Sequence, residues 1–171
     1  MATAIFYASS TGNTASVASR ISKVLGDIEL TNIELIDIAD NGISSINEYD
    51  NIILGTPTWG DGELQDDWVE VWDEFTEIDF AGKTIALFGL GDQDGYDDYY
   101  CDAMGIMYDK IIEQGGTVVG AWEIDEDYYH NSSLAIKDNK FVGLALDEDN
   151  QDELTDNRIT KWCEQIKLNI L

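Results

Sequence analysis

The sequence predicts an α/β fold in which helices cover both faces of a parallel sheet. Two observations lead to this class. Short apolar, β-rich runs alternate five times with segments of helical periodicity along the 171 residues. The first of these runs is continuously apolar, as in a strand that is buried on both faces. Right-handed crossovers then leave few topologies for the connections. The length suits a single core, so we expect one domain over residues 1–171.

Strands and helices are predicted in alternation along the chain. The predicted strands are residues 4–8, 32–38, 51–55, 84–89 and 117–122. Apolar residues at helical spacing mark helices around 17–25, 104–112 and 159–166. The pair Gly115-Gly116 closes the second of these helices. This order of elements is typical of a doubly wound sheet.

One stretch interrupts the pattern. Residues 123–140, between Trp122 and Phe141, are polar and acidic with weak periodicity. Residues 141–146 then have the pattern of a strand again, with no helix before them. We interpret this as a single edge strand, the fifth, interrupted by a long loop. Such loops are usually functional or a feature of a subfamily.

The charge balance excludes several classes of partner. Asp and Glu number 35 against 9 Lys and Arg, giving a formal net charge of −26. Nucleic acid and anionic membrane surfaces are disfavoured, because both require clustered cations. A protein partner with a basic docking face is favoured instead. No run approaches a membrane span and the N-terminus lacks a basic n-region, so we expect a cytoplasmic chain. We also expect the chain to be a monomer.

The first strand is followed directly by a hydroxyl-rich loop that opens the first helix. This hydroxyl loop comprises Ser9, Ser10, Thr11, Gly12, Asn13 and Thr14. Unpaired N–H groups and the helix dipole favour an anion at such a position, although plain N-capping is the alternative. The loop lacks GxxxxGK[ST], GxGxxG and any cation. Neutral donors suit a monophosphate, which indicates a mononucleotide.

Two further loops each combine glycines with an aromatic residue. Residues 55–62 follow the third strand and contain the only proline, Pro57, and Trp59. Residues 89–96 follow the fourth strand and end in Tyr96. Ligands of open parallel sheets bind outside the carboxyl ends of the strands. We therefore expect a flat, apolar, phosphorylated ligand stacked on both aromatics. The alternative is that both rings fill hydrophobic pockets within their own loops.

Taken together, these residues resemble the flavodoxin family over essentially the whole chain. The resemblance rests on the hydroxyl loop, Pro57-Thr58-Trp59, Gly91-Asp92-Gln93 with Gly95-Tyr96, and residues 141–151. The last segment, with the 123–140 loop, resembles the long-chain branch. The resemblance implies a sheet of order 2-1-3-4-5 and one noncovalent FMN at its switch point. It also implies a low-potential carrier of single electrons between reductase-type donors and low-potential acceptors.

The resemblance also implies roles for individual residues. The hydroxyl loop holds the phosphate, and Trp59 and Tyr96 enclose the isoalloxazine ring. The edges of the ring are assigned to Thr56, Pro57, Thr58, Gly60, Leu90, Gly91 and Asp92, with Tyr99, Tyr100, Cys101 and Asp149 nearby. Ser9 replaces the family's usual Thr and keeps the hydroxyl. Tyr99 stands where many long-chain members have Asn, so only backbone contacts are expected there.

Acidic residues are concentrated near the predicted ring. Between Asp61 and Asp79 there are nine acids and no Lys or Arg. The subset Glu70, Asp73, Glu74 and Glu77 fits a solvated helix face. The acids that flank the ring disfavour the anion that full reduction creates, which lowers the potential of the second electron. The next loop contains Asp92, Asp94, Asp97, Asp98 and Asp102, and the acids expected nearest the ring are Asp61, Glu63, Asp92, Asp94 and Asp149.

Two rival functions remain at this point. An FMN-dependent quinone reductase of related fold needs a substrate pocket over the ring, where Trp59 and Tyr96 are expected to cover both faces. A receiver-like signalling module needs acids at the end of the first strand, where this chain has Ser9 and Ser10. The only histidine, His130, is predicted on a surface loop, and Cys101 and Cys163 match no metal spacing. We therefore predict an electron carrier with no catalytic residue and no metal.

Overall fold

The computed structural model of the chain describes residues 3–29 and 32–171. Helices and strands alternate through most of this length. In chain order the elements are β1 (Thr3–Tyr7), α1 (Asn13–Glu29), β2 (Glu34–Asp37), α2 (Ile38–Asn41), a 3-10 helix (Ser44–Glu48), β3 (Asn51–Trp59), β4 (Glu63–Leu64), α3 (Asp66–Glu70), α4 (Trp72–Thr76), β5 (Thr84–Leu90), α5 (Asp102–Glu113), β6 (Thr117–Val119), β7 (Trp122–Glu123), β8 (Ile136–Lys137), β9 (Lys140–Phe141), β10 (Leu144–Leu146) and α6 (Asp152–Ile170).

The main sheet is parallel, with strands in the order β10-β5-β3-β1-β2. Both β6 and β10 pair with β5: residues 117–119 lie beside 84–86, and residues 144–146 beside 88–90. The two short strands therefore occupy successive halves of one edge position. This confirms the predicted fifth strand with its interruption, and with it the predicted order 2-1-3-4-5.

Helices bury both faces of this sheet, because its central strands are apolar on both sides. In β3, Ile52 and Leu54 belong to one core with Trp68 and Phe75 of α3 and α4. Ile53 faces the opposite core, which α1 and α6 cover. Burial on two faces is why the strand sequence runs apolar without alternation.

The interruption of the fifth strand is more ordered than the predicted loop. Gly120, with φ +85°, turns the chain out of the main sheet, and a Cβ there would lie 2.8 Å from Trp162 Nε1. Trp122 then pairs with Phe141 in a three-stranded antiparallel sheet, β7-β9-β8. The prediction that Trp122 and Phe141 lie in the fifth strand was therefore wrong. We call residues 120–143, which contain this small sheet, the insertion.

The third strand is longer than predicted and carries part of the ligand loop. It continues through Pro57 to Trp59, where β4 pairs with it in antiparallel orientation. Trp59 therefore lies at the end of a paired strand and not on a free loop. The acidic face expected around 70–77 is exposed, as predicted, on α3 and α4.

Candidate functional site

One cleft lies at the carboxyl ends of the parallel strands, where the loops after β1, β3 and β5 meet. Its volume is about 290 Å³. It is lined by Ser10, Thr11, Asn13, Thr14, Pro57, Thr58, Trp59, Gly60, Leu90, Gly91, Asp92, Tyr96, Glu148 and Asp149. Four segments that are far apart in sequence, the fourth being Glu148 and Asp149 after β10, are thus brought together where an open parallel sheet binds its ligands.

The hydroxyl loop forms one end of the cleft. Ser9 caps α1, since its Oγ accepts the N–H groups of Gly12 at 3.1 Å and Ala15 at 3.3 Å. Gly12 adopts φ +94°, which the tight turn into the helix requires. The backbone N–H groups of Thr11 and Asn13 find no acceptor within the described chain. The Ser9 hydroxyl therefore serves capping, and the N–H groups of Thr11 and Asn13 are left free for an anion.

No cation contributes to the lining of the cleft. Arg20, one turn further along α1 than the capped residues, forms ion pairs with Glu148 and with Asp156, each at 3.1 Å. Its charge is thereby compensated by carboxylates. An anion in this cleft would be held by neutral N–H and hydroxyl donors, a donor set that suits one phosphate group.

Both predicted aromatic residues line the cleft and remain accessible. The exposed fraction is 46% for Trp59 and 48% for Tyr96. Large aromatic side chains that fill pockets in their own loops would be buried. The alternative that these rings are only packing residues is therefore not what the structure shows, and each has a free surface for a ligand.

Asp92 builds the turn that carries Tyr96. Its Oδ1 accepts the N–H groups of Asp94 at 3.0 Å and Gly95 at 2.8 Å, and the amide of Asn150 at 2.8 Å. Burial alone would raise the pKa of Asp92, but these hydrogen bonds from Gly95, Asn150 and Asp94 outweigh it and lower the pKa. The carboxylate is therefore ionised beside the cleft at neutral pH.

Carboxylates crowd the rim near the last strand. The pKa of Asp149 is raised, first by burial and then by repulsion from Asp92, Asp147 and Glu148. Glu148, which lines the cleft, was not among the predicted site residues. It stands in the acidic run after the last strand, within the 141–151 segment on which the family resemblance rests. Three carboxylates, those of Asp92, Glu148 and Asp149, therefore line this part of the cleft.

Several predicted residues do not line the cleft. These are Ser9, Gly12, Thr56, Tyr99, Tyr100 and Cys101. Tyr100 and Cys101 are fully buried, and burial raises the pKa of the Cys101 thiol. Tyr100 lies against the cleft floor, because a Cβ on Gly91 would be 2.7 Å from its ring. Tyr100 therefore supports the cleft only through its packing against Gly91.

His130 is not the surface residue that was expected. Its ring is half-buried and stacks on Tyr100, with ring centroids 4.9 Å apart. This burial lowers the pKa of the imidazole. The insertion places it there by folding over the residues that follow Tyr96. No motif in the sequence distinguishes such a packed histidine from an exposed one.

Comparison with known proteins agrees with this geometry. The model of the Flavodoxin family matches residues 5–162. The flavodoxin of Picosynechococcus sp. strain PCC 7002 is 47% identical over 163 residues, covering 95% of this chain and 94% of that protein. Flavodoxin 1 of Escherichia coli K12 is 44% identical over 164 residues, covering 96% and 92%.

Solved structures give the same relationship. The crystal structure of Fusobacterium nucleatum flavodoxin bound to flavin mononucleotide matches with a TM-score of 0.92 and 35% identity, over 99% of each chain. A Bacillus cereus flavodoxin matches with a TM-score of 0.73 and 32% identity, over 98% of each chain. With sequence relatives and structural neighbours that agree along nearly its whole length, the chain belongs to the flavodoxin family.

Proposed function

We propose that this chain binds one FMN noncovalently in the cleft and carries single electrons between redox proteins. The proposal rests on one observation. Neutral anion donors and two half-exposed aromatic rings lie in the same cleft, whose volume is about 290 Å³. The Fusobacterium nucleatum relative is bound to flavin mononucleotide, which supports this ligand. When bound, FMN supplies the one-electron chemistry, and the protein sets its potential and its access.

The residues of the cleft divide between the two ends of such a ligand. Thr11 and Asn13 offer free N–H groups to the phosphate, and Ser10, Thr11 and Thr14 offer hydroxyls. Trp59 and Tyr96 contact the ring faces. We assign the ring edges to Pro57, Thr58, Gly60, Leu90, Gly91, Asp92 and Asp149. Ser9, Gly12 and Tyr100 support the cleft from outside its wall.

The same arrangement argues against the two rival functions. With both ring faces covered by Trp59 and Tyr96, no space remains for a quinone to approach by stacking. The end of β1 presents Ser9 and Ser10, and hydroxyls there do not make the acidic phosphoryl site of a receiver. Turnover of NAD(P)H with a quinone, and phosphoryl uptake from a small donor, would each contradict the proposal.

We further propose that the chain is a single-domain flavodoxin of the long-chain type. The support is the insertion, which divides the fifth strand into β6 and β10 and folds into a small sheet of its own. Its hydrogen bonds to Gln93 in the loop after β5 and to Asp102 at the start of α5 join it to the rest of the fold. The whole of 1–171 is then one unit with one FMN site.

The first prediction concerns the cofactor. Titration of the apoprotein is expected to give one FMN per chain, with FAD binding more weakly, because the cleft has donors for one phosphate and no cation for a second. Isothermal calorimetry and the flavin absorption spectrum measure both. A protein that stays colourless after FMN is added contradicts the proposal. Preference for FAD contradicts the assignment of the hydroxyl loop.

We propose that the redox partners dock through basic faces. A net charge of −26 and a cleft lining without Lys or Arg support this. The same charge disfavours nucleic acid. In the part of the chain that the structure describes, no helix has the length and apolar character to cross a bilayer. We propose a monomer that works in the cytoplasm.

The second prediction concerns salt. The association rate with a basic redox partner is expected to fall about tenfold from low to high salt, because steering is screened beyond about 8 Å at physiological ionic strength. Stopped-flow mixing measures the rate, with a neutral small-molecule reductant as the salt-independent control. An optimum at intermediate salt fits as well, since strong attraction traps wrong orientations. A rate that is independent of salt contradicts the acidic docking face.

A further inference from the structure

A buried glutamine lies three residues before Tyr96. Gln93 is 1% exposed, yet its side-chain amide has a partner for every hydrogen-bonding position. Its Nε2 donates to Asp147 Oδ2 at 3.2 Å and to Gln151 Oε1 at 3.0 Å. Its Oε1 accepts the N–H groups of Tyr129 at 2.9 Å and His130 at 3.3 Å. One side chain thus joins the loop of Tyr96 to the insertion and to the turn after β10.

The insertion continues along the same loop beyond Gln93. We call residues 91–101 the tyrosine loop. The N–H groups of Asn131 and Ser132 donate to the carbonyl of Asp97 at 2.9 and 3.0 Å. Ser132 Oγ donates to the carbonyl of Asp98 at 2.7 Å. The insertion is therefore bonded to the tyrosine loop on both sides of Tyr96, whose own ring stays half-exposed.

Only an amide satisfies all the partners of Gln93. Asp147, fully buried, and Gln151 Oε1 need donors, whereas the two backbone N–H groups need an acceptor. A carboxylate would offer no donor and would face the buried Asp147. A hydrocarbon would leave the N–H groups of Tyr129 and His130 without an acceptor, which is costly for buried groups. Asp147 and Gln151 would each lose one donor and keep others, from the backbone of residue 93, Asn150 and Arg158. The side chain of Gln93 joins the loop of Tyr96, the insertion and the turn after β10, and this explains why a glutamine stands at position 93.

We propose that Gln93 is a positioning residue for Tyr96, through which the insertion contributes to binding of the flavin ring. The inference rests on the proposed function. A loop already held in its bound conformation loses less conformational entropy when the ligand binds. Because Tyr96 contacts the flavin ring and not the phosphate, this contribution stabilises binding of the ring. It is therefore expected to raise the affinity for FMN and for riboflavin by the same factor.

The test is a double-mutant cycle on flavin affinity. Gln93→Met is expected to weaken FMN and riboflavin binding by about the same factor, roughly tenfold, since a buried hydrogen-bond network is lost. In a Tyr96→Ala background the same change is expected to have little effect on affinity, because the residue that it positions is gone. An equal loss in both backgrounds shows a merely structural role and overturns the proposal, as does an unchanged affinity in Gln93→Met.

Two further variants make the test independent of folding defects. Gln114→Met removes another internal amide, whose Nε2 donates to the carbonyls of Phe75 at 2.7 Å and Ile78 at 2.8 Å, away from the cleft. It is expected to lower stability and leave flavin affinity unchanged.

Ser132→Ala alters an exposed residue and is expected to lower affinity about threefold through its bond to Asp98. Unchanged affinity in Ser132→Ala overturns the role of the insertion. Absence of FMN binding by the unaltered protein would instead refute the proposed function.

Discussion

Replacing Trp59 or Tyr96 with alanine is expected to weaken FMN binding by about 5- to 150-fold each. Stacking of an aromatic heterocycle on such a side chain contributes roughly 1–3 kcal/mol, and each 1.4 kcal/mol is about tenfold in affinity. Both rings line the cleft and are close to half exposed, at 46% and 48%, so each has free area to give to a ligand. Riboflavin is expected to lose affinity by a similar factor, because stacking involves the flavin ring, which FMN and riboflavin share.

Quenching of flavin fluorescence during titration of the apoprotein measures these affinities. Trp72→Ala is the matched control, since Trp72 stacks on Phe75 with centroids 5.0 Å apart in α4 and does not line the cleft. That variant is expected to lose stability and keep its affinity for FMN. Equal losses in all three variants would show that the effect is general loosening of the fold, and the two-sided stacking would be refuted.

The main sheet could be predicted from the sequence because its signal is local. Continuous apolar runs such as 52–54 are buried on both faces of the sheet, as is typical of central parallel strands. The insertion could not be predicted in the same way. Its strands are two residues long, and Trp122 pairs with Phe141 across a stretch without periodicity. The turn at Gly120 that removes Trp122 from the main sheet depends on contact with Trp162 of α6.

The candidate site likewise contains residues whose place could be predicted from the sequence and residues whose place could not. The hydroxyl loop, Trp59 and Tyr96 follow directly from the ends of strands, so their meeting in one cleft follows from the topology. Gln93 and Glu148 stand in segments on which the family resemblance rests, but their partners come from distant parts of the chain, which the sequence alone does not show. Tyr100 was expected near the ring because it follows Tyr96 closely. The chain turns inward after Tyr96, and the side-chain ring of Tyr100 packs beneath Gly91 instead of lining the cleft.

Neutralising four exposed acids that stand in or directly beside the cleft-lining segments is expected to raise the potential of the second one-electron reduction of bound FMN. The variant combines Asp61→Asn, Glu63→Gln, Asp94→Asn and Asp149→Asn, all at exposed positions. Asp92 is left unchanged, because its Oδ1 holds the turn of Tyr96. Removing negative charge favours the more negative state of the flavin, so the sign of the shift is positive, and the first couple is expected to move less.

The expected size follows from the exposure of these groups. A single exposed charge pair rarely exceeds about 1 kcal/mol, and for one electron 59 mV corresponds to a tenfold change in equilibrium constant. The four changes together are expected to give a shift of about 40 mV, which shrinks as salt is added. Redox titration at about pH 8 measures it, since the pKa of Asp149 is raised by burial and by its acidic neighbours.

The chain offers a control with the same change in net charge. Glu70→Gln, Asp73→Asn, Glu74→Gln and Glu77→Gln also remove four charges from exposed positions, on or beside α3 and α4 and outside the cleft lining. Screening over the longer distance is expected to leave both potentials of this variant nearly unchanged. Equal shifts in the two variants would mean that only total charge matters. A second potential that is unchanged or lowered in the variant of the cleft acids, with FMN still bound normally, would mean that the acids serve docking alone and that backbone contacts to the ring set the potential.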